Sequence, residues 1–190
     1  MNDSDALPAW RQDLAASLHR NRSDATSRYV QLATVRSNGT PANRTVVFRG
    51  FDDAGAVLIV SDTRSDKFQE LSQKPCAEIA WYFGKTREQY RLQCTVELLL
   101  PEGESRARCE PLWQSLSPAA RAQYFWPAPG VPVDTADTTP ALVNDKTPPW
   151  FLGLAASVTA VDYLSLRPTP QLRRRYRLEN GLWSVSAVNP

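Results

Sequence analysis

Three turn signals, each set between runs of β-branched and aromatic residues, limit the folds open to this chain more than any other feature. Asn38-Gly39 separates residues 29–36 (YVQLATVR) from residues 43–51 (NRTVVFRGF). Asn-Gly supplies the positive φ angles that a tight hairpin demands, so these runs are expected to pair antiparallel. Asp52-Asp53-Ala54-Gly55 then turns the chain into residues 56–61 (AVLIVS), and Asn180-Gly181 separates RRRYRLE from LWSVSAV. Residues 76–83, 87–100 and 157–166 add further strand-like runs. Six or seven mostly antiparallel strands with a few helices predict a mainly β chain of the α+β class, built on a barrel. Neither the βαβ alternation nor the Gly-x-Gly-x-x-Gly run of a dinucleotide-binding sheet is present.

Helical signals flank this meander. Trp10, Leu14 and Leu18 recur at i, i+4, i+8 behind Pro8, which predicts an amphipathic helix over about 8–20. A short helix is expected over about 65–74, with Ser65 as its cap and Pro75 as its stop. Residues 102–123 read as helical with breaks at Pro111 and Pro118. Six of the 15 prolines fall between Trp126 and Trp150, so residues 126–149 are expected to be a long loop with a functional role or partial order. No boundary divides residues 1–190, and one domain is expected.

Composition removes several chemistries. His19 is the only histidine, which excludes a Ser-His-Asp triad, a His-Glu-x-x-His site and any multi-histidine metal centre. Cys76, Cys94 and Cys109 lack Cys-x-x-Cys spacing and are expected to be small buried hydrophobes, so no metal site is expected. No apolar run approaches the roughly 20 residues of a membrane span, and the acidic N-terminus is unlike a signal peptide. Cytoplasmic residence without membrane association is the expectation. The net charge of +2 does not demand a polyanionic partner. Any reaction here is expected to borrow a cofactor.

Two segments carry the candidate chemistry. In residues 44–51 (RTVVFRGF), alternation places Arg44, Val46 and Phe48 on one face and Thr45, Val47 and Arg49 on the other. In residues 61–71 (SDTRSDKFQEL), a strand ends and a helix starts with Arg64, Ser65 and Lys67 at its N-terminus. Free N–H groups and the helix dipole favour an anion there, and cations in that position ask for one. A phosphate site is expected, against the alternative that Arg64 and Lys67 simply face solvent.

The order RTVVFRGF, SDTRSDKFQEL, WYFGKTREQYRLQCTVEL and VDYLSL…RRRYRLENGLWSVSAVNP resembles the pyridoxamine 5′-phosphate oxidase family, over residues 27–190. The resemblance implies an FMN-binding split β-barrel acting as a homodimer, with two FMN sites at the subunit interface. It implies that Arg44 and Lys67 hold the FMN phosphate, helped by Ser61 and Ser65, with Arg64 supplying a charge where Asp66 replaces an arginine. The backbone of Thr45, Val46 and Val47 would run beside the flavin ring. Gln89 would hydrogen-bond the ring, and Tyr163 and Arg175 would approach from the C-terminal region. Arg49 stands where the family has a lysine that meets both cofactor and substrate.

Departures from the family fall on the substrate side. The family's Arg-Leu-His triplet aligns with Gln171, Leu172 and Arg173, and its phosphate-gripping Tyr, Arg and Ser have no clear counterparts in EPLWQSLSPAARAQYFWPAPG. The implied protein is an FMN oxidoreductase acting on an unidentified small molecule, with the vitamin phosphates as poor substrates. The alternative is a non-catalytic module holding FMN or another flat cofactor, such as F420; haem fits less well with one histidine. A nucleic-acid role for Arg173, Arg174, Arg175 and Arg177 is not expected, because alternate strand positions face opposite ways.

Overall fold

A computed structural model of the chain describes residues 7–133 and 146–190. Eight strands follow the turn signals: β1 (Tyr29–Val35), β2 (Pro41–Phe51), β3 (Val57–Asp62), β4 (Cys76–Phe83), β5 (Glu88–Leu99), β6 (Phe151–Ser165), β7 (Leu172–Glu179) and β8 (Leu182–Val188). Their pairings are antiparallel, in the order β3-β2-β1-β4-β5-β6-β7-β8, and β3 also pairs with β6. Six strands therefore close into a barrel, and β7 and β8 leave it as a hairpin. That is one strand more than the upper sequence expectation. At the last turn Asn180 and Gly181 both have positive φ, 52° and 79°, as a tight primed turn requires.

Closure depends on the length of β6. One edge of this 15-residue strand pairs with β5. Its other edge is divided, residues 151–156 bonding β3 and residues 160–165 bonding β7. Between them Thr159 is an extra residue, since Gln93 faces Ala160 while Cys94 faces Val158. A bulge of this kind bends a strand and increases its twist, here at the point where the partner changes.

The first half of β6 was not expected as strand: β6 starts at Phe151, six residues before Ser157. Leu152, Leu154 and Ala156 belong to the barrel core, whereas Phe151 and Ala155 lie in a second apolar cluster with Leu99, Cys109, Leu112 and Trp113. The last three belong to α3 (Arg106–Gln114), which covers the sheet here. A strand buried on both faces has no alternation to read. Gly153 makes the contact possible, because a Cβ there would meet Leu112 Cδ1 at 2.7 Å and Leu99 Cβ at 3.1 Å. Gly153→Val is accordingly expected to destabilise the fold by about 1–3 kcal/mol through overpacking. Thermal unfolding should show a midpoint lower by about 2–10 °C, and an unchanged midpoint would mean that α3 yields freely.

The helices tie the barrel to its surroundings. Helix α1 (Ala9–Arg20) buries Trp10 and Leu14, and Leu18 packs against the same core. Ser17 Oγ and Tyr90 Oη share a hydrogen bond of 2.9 Å, and Arg20 pairs with buried Glu88 at 2.9 Å. Helix α2 (Asp66–Gln73) follows β3. Ser65 stands at its cap position but makes no cap bond; its hydroxyl donates to the Asp62 carbonyl at 2.6 Å. Pro111 does not break α3, which is held on the sheet by buried Cys109, Leu112 and Trp113. Helix α4 (Pro118–Ala122) starts at its proline, with Ser117 Oγ accepting from the Ala120 N–H.

Cys94 and Cys109 are buried, with thiols pushed up to about 12 and about 11 by burial, but Cys76 at the outer end of β4 is exposed, contrary to expectation. Of the proline-rich stretch 126–149, residues 134–145 lie outside the described residues. Among the described residues no helix is long and apolar enough to cross a membrane.

Candidate functional site

A cleft of about 520 Å³ opens where the outer side of β2 meets the end of β3, the first turn of α2 and residues 116–129. Arg44, Thr45, Val46, Val47, Arg49, Ser61, Arg64 and Lys67 all line it, so two segments singled out in the sequence converge on one place. Ser65 lies directly behind: Lys67 Nζ donates to Ser65 Oγ at 3.1 Å. The facing wall includes Leu116, Gln123, Tyr124, Trp126 and two prolines.

The four cations of the cleft are not equivalent. Arg44 donates to Glu70 Oε2 at 2.7 Å and also to Thr34 Oγ1. Burial alone would raise the Glu70 carboxyl, but bonds from Thr34 and Arg44 outweigh it and hold it below the usual carboxylate range. Arg64 grips Asp62 in fork geometry, donates to the Tyr124 and Trp126 carbonyls at 3.2 and 3.3 Å, and lies 4.8 Å over the Trp150 ring. Its guanidinium thus pins the far wall to the β3–α2 turn. Lys67 and Arg49 have no ion pair among the described residues. Burial, and then the charge of Arg44, pulls the Lys67 ammonium below its ordinary pKa. Four cations outnumber the three carboxylates around them, Asp62, Asp66 and Glu70, and leave the cleft net positive.

Ser61 adds a second mismatch. Its hydroxyl oxygen is buried in the cleft wall without a hydrogen-bond partner among the described residues. Buried polar groups are paired as a rule, and an unmade bond costs about 1–3 kcal/mol. An orphaned hydroxyl, an unneutralised ammonium and the N-terminus of α2 together suit a doubly charged anion such as a phosphate monoester.

The other expected residues lie elsewhere in this chain. Cross-strand partners share a sheet face, and Thr45, Gln31, Ala80, Arg91, Asp162 and Arg175 form one row across six strands. Thr45 and Arg175 are thus five strand spacings apart, about 24 Å along the curved sheet. Gln89 and Arg173 lie in the adjacent row, with Tyr82 and Leu164. Tyr163 points the other way. Its ring is buried 4.8 Å from Tyr90 and its hydroxyl donates to Glu88 at 2.9 Å. Gln171 is exposed just before β7. The arginine run is split between faces: Arg173 and Arg175 turn to Asp162, and Arg174 to Asp13.

Asp162 holds the outer row together. It accepts from Arg173 at 2.8 and 2.7 Å, from Arg91 at 2.9 Å and from Arg175 at 3.3 Å. Hydrogen bonds from Arg173, with help from Arg91, outweigh burial and hold its carboxyl at about 2. A folded value below the unfolded one gives stability that is complete above the unfolded pKa, near 4, and is lost as pH falls toward 2. Because Arg91 and Arg175 are 40% and 47% exposed, solvent screening limits this to about 1–2 kcal/mol. Asp162→Asn should lower stability at pH 7 by about that much and flatten its decline between pH 5 and pH 2. Denaturant titrations at several pH values check this; an identical acid limb in the variant would count against it.

Sequence reasoning missed Asp62, which lines the cleft, and Thr34 and Glu70, which hold Arg44 from behind it. Thr34 had a signal, since it occupies an inward position of β1 beside Val30 and Leu32, where a hydroxyl needs a partner.

Residues 7–99 match the family model described as the pyridoxamine 5′-phosphate oxidase FMN-binding domain. The chain is 35% identical over 191 residues to pyridoxine/pyridoxamine 5′-phosphate oxidase 2 of Arabidopsis thaliana, covering 95% of this chain and 96% of that one. It is similar to the crystal structure of a pyridoxamine 5′-phosphate oxidase-related, FMN-binding protein from Nostoc punctiforme. The TM-score is 0.91 and the identity 41%, over 97% of this chain and 100% of the other. PhzG of Burkholderia lata, solved with tetrahydrophenazine-1-carboxylic acid, shares the fold at a TM-score of 0.74 and 20% identity, over 98% of each chain.

Proposed function

Since this chain belongs to the pyridoxamine 5′-phosphate oxidase family of FMN-binding split barrels, we propose that its cleft binds FMN and that the protein is an oxidoreductase acting on a small molecule. The observation that carries the reading is the unpartnered Ser61 hydroxyl beside the unneutralised Lys67 ammonium. Lys67, Ser61 and Arg44 would take the cofactor phosphate, with Glu70 and Thr34 fixing the Arg44 guanidinium. The backbone and side chains of Thr45, Val46 and Val47 form the floor on which the ring would lie. Bound FMN supplies hydride acceptance and donation, and the protein supplies orientation and a shielded ring face.

The working unit we propose is a homodimer. Thr45, Gln89 and Arg175, all expected to meet the flavin, are spread along one outer sheet face, too far apart for one copy to bring Gln89 and Arg175 to its own cleft. A second copy laid on that face would present them to the first. Exposed Tyr29 and Tyr82 on the barrel, and Leu182 on the hairpin, lie on that face and give the contact apolar area.

The test is a titration of the apoprotein with FMN, FAD and riboflavin, followed by the visible flavin absorption, with light scattering on the loaded protein. FMN is expected to bind most tightly, in a particle of two chains. Equal affinity for riboflavin and FMN would remove the phosphate site, and a flavin-loaded monomer would remove the dimer.

A further inference from the structure

A second pocket, of about 330 Å³, lies at the N-terminal end of α1 and shares no lining residue with the cleft. Its volume is at the lower end for small-molecule sites. Phe51, Trp10 and Trp183 give it aromatic walls, the two indoles 5.5 Å apart. Two donors in these walls have no acceptor among the described residues: Trp10 Nε1 and Arg11 Nε, both buried. Trp10 as a whole is only 3% exposed. An indole N–H left without a partner in a pocket wall costs free energy that pairing would recover.

The charge of Arg11 is equally out of place. Its guanidinium sits over the Phe51 ring and has no carboxylate within ion-pair distance among the described residues. It occupies the first turn of α1, where the helix dipole disfavours a cation, and no acidic residue stands in that turn. Asp52, which also lines the pocket, is taken by Arg108 and the Ala56 N–H. Asp53 adds a second negative charge to the rim.

We propose that this pocket is a second binding site, for a small aromatic monocarboxylate. The carboxylate would accept from Arg11 and Trp10 Nε1, and the ring would lie among Phe51, Trp10 and Trp183. The contrast with the cleft is one of charge. The cleft is net positive and suits a dianion, whereas here Arg11 is the single cation without an ion pair, Asp52 is already taken by Arg108 and Asp53 stands on the rim, which leaves room for one negative charge and opposes a phosphate ester.

Calorimetric titration of the flavin-loaded full chain with phenylacetate tests the site, with phenylacetamide and phenyl phosphate as controls. Saturable binding of one phenylacetate per chain is expected, weaker by about tenfold or more for either control. Arg11→Gln should weaken phenylacetate by a similar factor and leave FMN affinity unchanged. Arg11→Lys, which keeps the charge, should fall between, and Trp183→Leu should weaken all three ligands alike. No saturation up to about 10 mM, binding that Arg11→Gln leaves untouched, or phenylacetate displaced from apoprotein by FMN would each overturn the proposal. Flavin retention is read separately in the visible spectrum, so loss of the FMN reading and loss of this one are distinguishable.

Discussion

Lys67→Met should lower affinity for FMN by about a hundred- to a thousandfold while changing affinity for riboflavin by no more than about twofold. Lys67 is the half-buried one of the two cations in the cleft without an ion pair, and burial, with the charge of Arg44, holds its pKa below the ordinary value. A phosphate dianion provides a counter-charge in a place where water screens it poorly, so the pair is worth more than a surface ion pair. Methionine keeps the length and apolar stem of lysine, which limits the effect to the charge. Ser61→Ala should cost less, about tenfold, since one hydrogen bond to a charged group is lost and an orphaned hydroxyl is removed with it. Arg64→Met should act differently again. Its guanidinium belongs to Asp62 and two wall carbonyls, so its loss should loosen residues 124–126 more than it weakens the phosphate. The measurement is flavin fluorescence during titration of each apoprotein with FMN and with riboflavin. A parallel fall for both flavins in Lys67→Met would show that the lysine shapes the cleft instead of holding the phosphate.

How far the fold and the site were legible differs element by element. The strands with one wet face, β1 and β5 among them, announced themselves through alternation, and the Asn-Gly turns fixed the β1–β2 and β7–β8 pairings. The opening of β6 did not, because α3 buries its outer face and periodicity vanishes. Pro111 misled for a related reason: tertiary burial of Cys109, Leu112 and Trp113 outweighs a local preference. The phosphate end of the cleft was legible because it is assembled from two short segments close in sequence, and local electrostatics expose the mismatch. The partners of those cations were not. Thr34 and Glu70 reach Arg44 from separate elements, so only the folded chain shows Arg44 already tethered. For Gln89, Arg173 and Arg175 the resemblance named residues whose shared face depends on a register across several strands. Tyr163 shows the same limit from the other side, since one position along β6 decides between the core and the outer face.

Pyridoxine and pyridoxamine phosphates should be turned over by the FMN-loaded protein at least about a hundredfold more slowly than the 1 per second that is ordinary for enzymes. The resemblance places an Arg-Leu-His grip where this chain has Gln171, Leu172 and Arg173. Arg173 does not replace the lost charge, for Asp162 takes its guanidinium through two hydrogen bonds. The wall opposite β2 does not replace it either. Leu116, Ala120, Trp126, Pro127 and Pro129 are apolar, and the nearby Arg121 is engaged by the Trp113 carbonyl and by Gln114. With Lys67 given to the cofactor, Arg49 is the cation left uncompensated in the cleft, next to the raised-pKa Tyr124 hydroxyl. One exposed guanidinium grips a phosphate dianion poorly, and loss of a buried charged contact typically costs about 2–5 kcal/mol, or about thirty- to several-thousandfold. The same geometry favours a flat substrate of lower charge, held between the flavin and Tyr124 and Trp126. The assay incubates loaded protein with each vitamin phosphate under air and follows pyridoxal phosphate. Turnover near 1 per second would mean that residues 171–173 are not the counterpart of the family's triplet, and that the grip comes from groups this chain places elsewhere. Slow turnover with the flavin spectrum intact, and with reoxidation by air still fast, would place the defect in substrate recognition and leave the cofactor site as described.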